Sequence, residues 1–195
     1  MGVRILLGVP VSSKKMKVLL HTCCGPCALY PSEVLRDEGH EIFLYYSNPN
    51  IHPFEEWLKR LEGVKTVSNT LNLRLIVDES YPIVDFLRNV VFREDNRCIY
   101  CYTVRLEKSA RLAKKSQFDA FTTTLLYSKF QKHELIKEIG ISAGKKYGID
   151  FLYRDFRKGW KKGIELSREL GLYRQDYCGC IYSEYESRRR RWKRK

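Results

Sequence analysis

The sequence predicts an α/β protein with a doubly wound, mainly parallel sheet flanked by helices. Three observations carry that expectation. Short apolar runs suited to buried strands alternate with longer segments of helical apolar spacing. Pro and Asn punctuate the joins, as at Asn48-Pro49-Asn50. The hydrophobic fraction, 44% of 195 residues, is enough to build one sizeable core.

Taken in order, Lys17 to His21 (KVLLH) is a short buried-type strand, and Ala28 to Asp37 has helical spacing at Ala28, Leu29, Val34 and Leu35. Glu41 to Tyr46 is the second strand, a loop through Pro53 follows, and Phe54 to Leu71 is a helix. Leu73 to Val77 is the third strand, and helical spacing resumes over Ile83 to Val91 and Cys101 to Lys115. Phe118 to Thr124 (FDAFTTT) holds the aromatic and β-branched residues that strands favour, which makes it the fourth. Lys132 to Tyr147 and Gly159 to Leu170 are helical, with Gly171 as a stop. Strands alternating with helices imply parallel pairing, and ligands then bind outside the carboxyl ends of the strands. That rim is expected to collect the first cysteines, Asn48 to His52 and Thr122 to Leu126. Because Met16 stands where the first strand begins, residues 1–15 are expected to be either a mis-set start or a dispensable extension; 16–187 form one domain and 188–195 a basic tail.

The longest apolar runs, such as Ile5 to Val11, fall far short of the roughly 20 residues a membrane span needs, so no membrane partner is expected. No small-residue cleavage site follows residues 1–15, and the protein is expected to be cytoplasmic. The formal charge is +13, and the last eight residues, Arg188 to Lys195, supply seven of the positives, so the rest of the chain is basic too. Such an excess favours a polyanionic partner, nucleic acid before acidic membrane.

Seven cysteines, with two C-x-x-C pairs, point away from a disulfide framework and towards metal or redox chemistry. Cys24-x-x-Cys27 opens a helix, where free backbone N–H groups favour thiolates or an anionic cluster, and Cys98-x-x-Cys101 stands at a second helix start. By spacing alone the two pairs fit a tetrahedral zinc or a four-iron cluster. Cys23 and the Cys178-Gly179-Cys180 turn supply more thiols than zinc needs, and strand alternation predicts that Cys23 and Cys24 face different centres. Cys24-Gly25-Pro26-Cys27 also fits a thioredoxin-like redox motif, which leaves the other five cysteines without a role. Neither a G-x-x-x-x-G-K-[ST] loop nor a G-x-G-x-x-G turn is present.

The combination Leu20-His21-Thr22-Cys23-Cys24-Gly25-Pro26-Cys27, Tyr46 to Pro53 (YSNPNIHP), Arg97-Cys98-x-x-Cys101, Thr122 to Leu126 (TTTLL) and Tyr177-Cys178-Gly179-Cys180 resembles the QueH-type epoxyqueuosine reductases. The likeness runs from Met16 to Ser183; Tyr127 to Gln131 (YSKFQ) departs from the family's usual loop. The resemblance implies a fold related to PP-loop nucleotide hydrolases, without ATP use. It implies reduction of epoxyqueuosine to queuosine at the wobble base of tRNAs with a GUN anticodon, by a [4Fe-4S] cluster beside a mononuclear iron. On that basis the cluster is expected on Cys24, Cys27, Cys98 and Cys101, and the second iron near Cys23, Cys178 and Cys180. Asp176, Tyr177 and His52 flank the site as candidate proton donors. Arg154, Arg157, Lys158, Lys161, Lys162 and the tail are expected to meet tRNA, Trp160 to stack on a base, and a flavodoxin or ferredoxin to supply electrons.

Overall fold

A computed structural model describes residues 14–194, so the expected extension lies outside the described residues except for Lys14 and Lys15. Strand β1 (Lys17–Thr22) leads through helix α1 (Gly25–Asp37) to β2 (Glu41–Tyr46), and α2 (Phe54–Leu71) leads to β3 (Arg74–Val77). Helices α3 (Ile83–Val90) and α4 (Arg97–Lys115) carry the chain to β4 (Ala120–Thr123), and α5 (His133–Tyr147) to β5 (Asp150–Phe151). Helices α6 (Trp160–Glu169) and α7 (Ile181–Trp192) close the chain.

All four strand pairings are parallel, in the order β3-β2-β1-β4-β5. The β1 and β2 interiors are largely apolar runs and all four residues of β4 are buried, as a sheet covered on both faces requires. Val18, Leu19, Leu20, Leu44, Tyr46 and Phe121 are fully buried, each large side chain contributing about 1.5–3 kcal/mol. The winding reverses between β1 and β4. With right-handed crossovers, α1 and α2 fall on one face of the sheet and α4 and α5 on the other. The gap beyond the ends of β1 and β4 is therefore the topological switch point, where such sheets bind ligands.

A close approach fixes the α1 end of that gap. Gly25, the first residue of α1, faces Gly63 in α2 so closely that a β-carbon there would overlap the Gly63 carbonyl. The helix pair thus sets where Cys24 and Cys27 stand.

The structure extends the expected element set in two places. The pair Asp150–Phe151 adds a fifth strand beside β4. Helix α7 runs through Arg188 to Trp192, the first residues of the expected tail, and Asp176 holds it through Arg191 (2.7 Å) and Arg188 (3.6 Å). No helix among the described residues is long and apolar enough to cross a membrane.

Candidate metal centre

The backbone leaves β1 at Thr22, turns at Cys23, and enters α1 with Cys24 as N-cap, extended at φ −170° and ψ 164°. Cys27 follows one turn into the helix. The sulfurs of Cys23, Cys24 and Cys27 all lie within 4.8 Å of one another, and those of Cys23 and Cys24 are 3.8 Å apart. The two sulfurs expected to face different centres thus stand close together. Strand alternation ends at Thr22, and the bend at Cys23 brings the neighbouring side chains to one side.

The environment of the three is polarised. The thiols of Cys24 and Cys27, then Arg105 and the Thr124 hydroxyl, hold Cys23 well below the ordinary thiol range despite its burial. Burial, then the contact with Cys23, pushes Cys24 up to about 12. The Thr124 hydroxyl donates to Cys23 Sγ (3.4 Å) and accepts from the Cys23 N–H (3.1 Å), while Gln175 Nε2 donates to Cys24 Sγ (3.0 Å).

A second thiol set faces this cradle. Cys98 and Cys101 stand in the first turns of α4, and burial pushes Cys101 up to about 12, with charge on Cys178 and Cys180 adding to the rise. Cys178 lies exposed at the rim, where Gln131 Nε2 donates to its sulfur (3.1 Å), and Cys180 is buried.

Arg105 lies between the sets, 1% exposed and without a carboxylate partner among the described residues. Its guanidinium donates to Asn48 Oδ1 (2.7 Å), and its Nη1 stands 3.8 Å from Cys101 Sγ. A buried cation is costly unless paired, and of the sulfurs around Arg105 it is Cys23 whose thiol is held low. His21 stays neutral beside it, pushed down to about 3 by burial and then by Arg105. Its Nε2 lies 3.2 Å from the Ser47 carbonyl oxygen and faces the Arg105 Nε–H at 3.4 Å, while Nδ1 pairs with the Thr123 hydroxyl at 2.9 Å.

Arg60 does a parallel task for the 177–180 loop. It is 1% exposed, paired to Glu56 Oε1 (2.7 Å), and donates to the carbonyls of Cys178 (2.7 Å) and Tyr177 (3.1 Å). His52 N–H donates to the Gly179 carbonyl (2.8 Å), and Gly179 has φ +150°, which a side chain rarely tolerates. Soft, closely spaced thiol donors, N–H groups aimed at sulfur and a buried Arg105 without a carboxylate partner among the described residues together fit an anionic metal–thiolate group.

A family model described as "Epoxyqueuosine reductase QueH" matches residues 18–186. The chain belongs to the QueH family. A relative of that name from Dehalococcoides mccartyi is 37% identical over 87% of this chain and 93% of its own, and one from Thermotoga maritima is 39% identical over 88% and 92%. A Streptococcus pyogenes relative is 31% identical over 88% of this chain and 71% of its own. Among solved structures, one described as a predicted subunit of a tRNA methyltransferase from Methanocaldococcus jannaschii matches with a TM-score of 0.52 at 14% identity, over 78% of this chain and 75% of that one. That likeness concerns the fold alone, and it agrees with the PP-loop-like α/β arrangement expected.

Within this QueH framework two of the three expected proton donors, Asp176 and Tyr177, are tied to partners of their own, while His52 keeps a buried Nε2 without a hydrogen-bond partner among the described residues. Asp176 binds Arg188 and Arg191 of α7. The Tyr177 hydroxyl donates to the His52 carbonyl (2.6 Å). His52 is buried and neutral, pushed down by burial, with Nδ1 3.4 Å from the Ile181 N–H. Several cations expected to meet RNA are also engaged: Arg154 with Glu38, Arg157 with Asp155 and Lys162 with Glu33. Lys158 and Lys161 are exposed without an ion pair among the described residues. Trp160 packs on Tyr127, ring centroids 5.2 Å apart, rather than standing free. Sequence reasoning missed Arg60, Arg105, Gln131 and Gln175. Only Arg105 leaves a signal, standing four residues after Cys101 on the same helix face.

Proposed function

We propose that this chain reduces epoxyqueuosine to queuosine in tRNA, using a [4Fe-4S] cluster and an adjacent mononuclear iron held by its seven cysteines. Membership of the QueH family supports the reaction, and the single structural observation that supports the metal is the Cys23–Cys24–Cys27 cradle beside buried Arg105. Deoxygenating the epoxide to an alkene takes two electrons and two protons and releases the oxygen as water. When bound, the metal group supplies electrons one at a time and a Lewis acid for the epoxide oxygen.

The residues of the chain prepare that chemistry. Cys23, Cys24 and Cys27 form one side of the holding set, and Cys98, Cys101, Cys178 and Cys180 the other. Cys23 is already thiolate-like, so the cradle takes up a cation with less proton release than three ordinary thiols would need. Arg105 offsets the negative charge that accumulates there, and the Gln131 and Gln175 amides aim N–H groups at sulfur. Burial of Cys24, Cys27 and Cys101 keeps water from the inner side, which protects the strained ring from hydrolysis. Exposed Cys178 marks the side from which the nucleotide enters. His52, Tyr177 and Asp176 act as positioning residues for the 177–180 loop and α7. The electron donor is a small redox protein of the flavodoxin or ferredoxin kind, and the RNA is a tRNA with a GUN anticodon.

The test is anaerobic purification with iron and sulfide analysis, followed by reduction of epoxyqueuosine-containing tRNA with dithionite. About five iron and four sulfide per chain, with product formed, is the expected outcome. Zinc without sulfide, or no turnover by fully loaded protein, overturns the reading.

A further inference from the structure

The segment 128–132 follows the β4 end of the site and carries an exposed aromatic ring. Phe130 is 86% exposed, on a loop otherwise made of Ser128, Lys129, Gln131 and Lys132. A lone exposed phenylalanine is ordinary on a protein surface. Three features set this one apart.

First, the loop is pinned to the thiols. Gln131 Nε2 donates to Cys178 Sγ (3.1 Å), and its Oε1 accepts from the Tyr102 hydroxyl (2.6 Å), so the residue beside Phe130 has both ends of its amide engaged. Second, the ring is propped. Trp160 meets it edge to face, centroids 5.6 Å apart at 80°, and Tyr127 backs Trp160 while donating its hydroxyl to the Trp160 carbonyl (3.0 Å). Gly163 leaves the space for Tyr127, since a β-carbon there would overlap the tyrosine hydroxyl. Third, the surroundings are cationic. Lys129, Lys132, Lys158 and Lys161 are exposed and make no ion pair among the described residues.

We propose that the exposed face of Phe130 is a stacking seat for a nucleobase of the RNA substrate, next to Cys178, with these lysines meeting the adjoining phosphates. The inference rests on the reductase reading above and adds to it the residue that holds the base. A propped aromatic face one residue from the thiols, ringed by unpaired lysines, has the chemistry of single-stranded RNA recognition: a π-surface for the base and point charges for the backbone. The Trp160 edge keeps the ring from folding onto its own loop, so the face stays free for a base.

The experiment titrates a fluorescently labelled, unmodified anticodon stem–loop RNA with anaerobically purified wild type and with Phe130→Leu, Phe130→Tyr and Phe130→Trp. The leucine keeps apolar bulk and removes the π-face. It is expected to weaken binding about tenfold, the loss of one base–aromatic stack, while tyrosine and tryptophan stay within about twofold of wild type. All four should show the same metal absorption, which certifies the thiol site. Equal affinity of Phe130→Leu and wild type overturns the seat, as does equal weakening by all three variants, which would make Phe130 a packing residue. The reductase assay is read separately. If stacking follows the expected order but no protein, wild type included, reduces the epoxide, the reaction falls and the seat stands.

Discussion

The two sides of the metal centre are built by different means. Cys23, Cys24 and Cys27 are set by the backbone itself: the end of the central strand, an extended N-cap and the first turn of α1, with Gly25 locked against Gly63. Cys178 stands on a loop with no regular structure, tied by the buried Arg60, the His52 N–H and the Ser183 hydroxyl, and Cys180 ends it as the N-cap of α7. The difference teaches that the cradle survives changes that the loop does not. Where secondary structure places a ligand, each residue is held by several backbone hydrogen bonds. Where a side chain places it, one substitution releases everything that side chain holds.

The sharpest way to break the comparison is to remove one sulfur from each side. Cys23→Ala takes out the thiolate that the other two thiols and Arg105 organise, and the expected result is loss of all iron from anaerobically purified protein. Cys178→Ala removes the exposed sulfur and is expected to leave iron on the cradle with turnover abolished. Metal analysis of the two variants checks both, and equal iron contents would end the distinction.

The next effect is on stability. Arg60→Met leaves the buried Glu56 carboxylate with the Tyr173 hydroxyl but no cation, and frees the carbonyls of Tyr177 and Cys178. Leaving a buried charge without its partner costs about 3–5 kcal/mol, so a clear drop in Tm is expected. The double variant Arg60→Met, Glu56→Gln should recover much of it, because no bare charge then remains; no recovery would mean that the loop carbonyls, not the ion pair, dominate. A smaller loss is expected for Gly179→Ala. Its φ of +150° and the nearness of Ile51, Arg60 and Asn50 at 3.2–3.3 Å make an added methyl strained, at about 1–3 kcal/mol by denaturant unfolding. The comparison predicts that this variant keeps the cradle's metal.

The same contrast governs what could be read from the sequence. Strands and helices were legible because the buried strands read as short apolar runs and the helices as periodic apolar faces, and the C-x-x-C pairs because cysteine is rare and its spacing chemical. Strand β5 is two residues long, too short to show a period. Helix α7 buries only Ser187 and is rich in arginine, so it has no apolar stripe and was indistinguishable from a solvated tail. Arg60 and Arg105 stand in amphipathic helices where arginine ordinarily faces water. Their burial follows from what the folded site places opposite them, thiolates in one case and loop carbonyls in the other. The closeness of the Cys23 and Cys24 sulfurs was hidden for a related reason, since strand alternation stops at Thr22, one residue before Cys23.

The weakest expected effect tests a side-chain tie at the edge of the sheet, remote from either thiol set. Asp78 follows β3 and accepts from Lys108 Nζ (2.8 Å), Ser47 Oγ (2.8 Å) and Ser80. Burial alone would raise its pKa, but Lys108 and the two serines outweigh it and hold the carboxyl down from 3.8 to about 2. A carboxyl depressed by folding contributes stability above its unfolded value and loses it as pH falls through the folded one. The contribution is therefore complete above pH 4 and fades towards pH 2. Over that window the fall in Tm should be shallower in Asp78→Asn than in wild type, because the variant has no proton to gain. Ser47 also holds His21 through its carbonyl, so a parallel change in His21 exchange would show that the edge tie reaches the strand beneath the cradle. Identical pH profiles would show that Lys108 merely solvates Asp78, leaving the backbone-set cradle independent of side-chain ties at the rim.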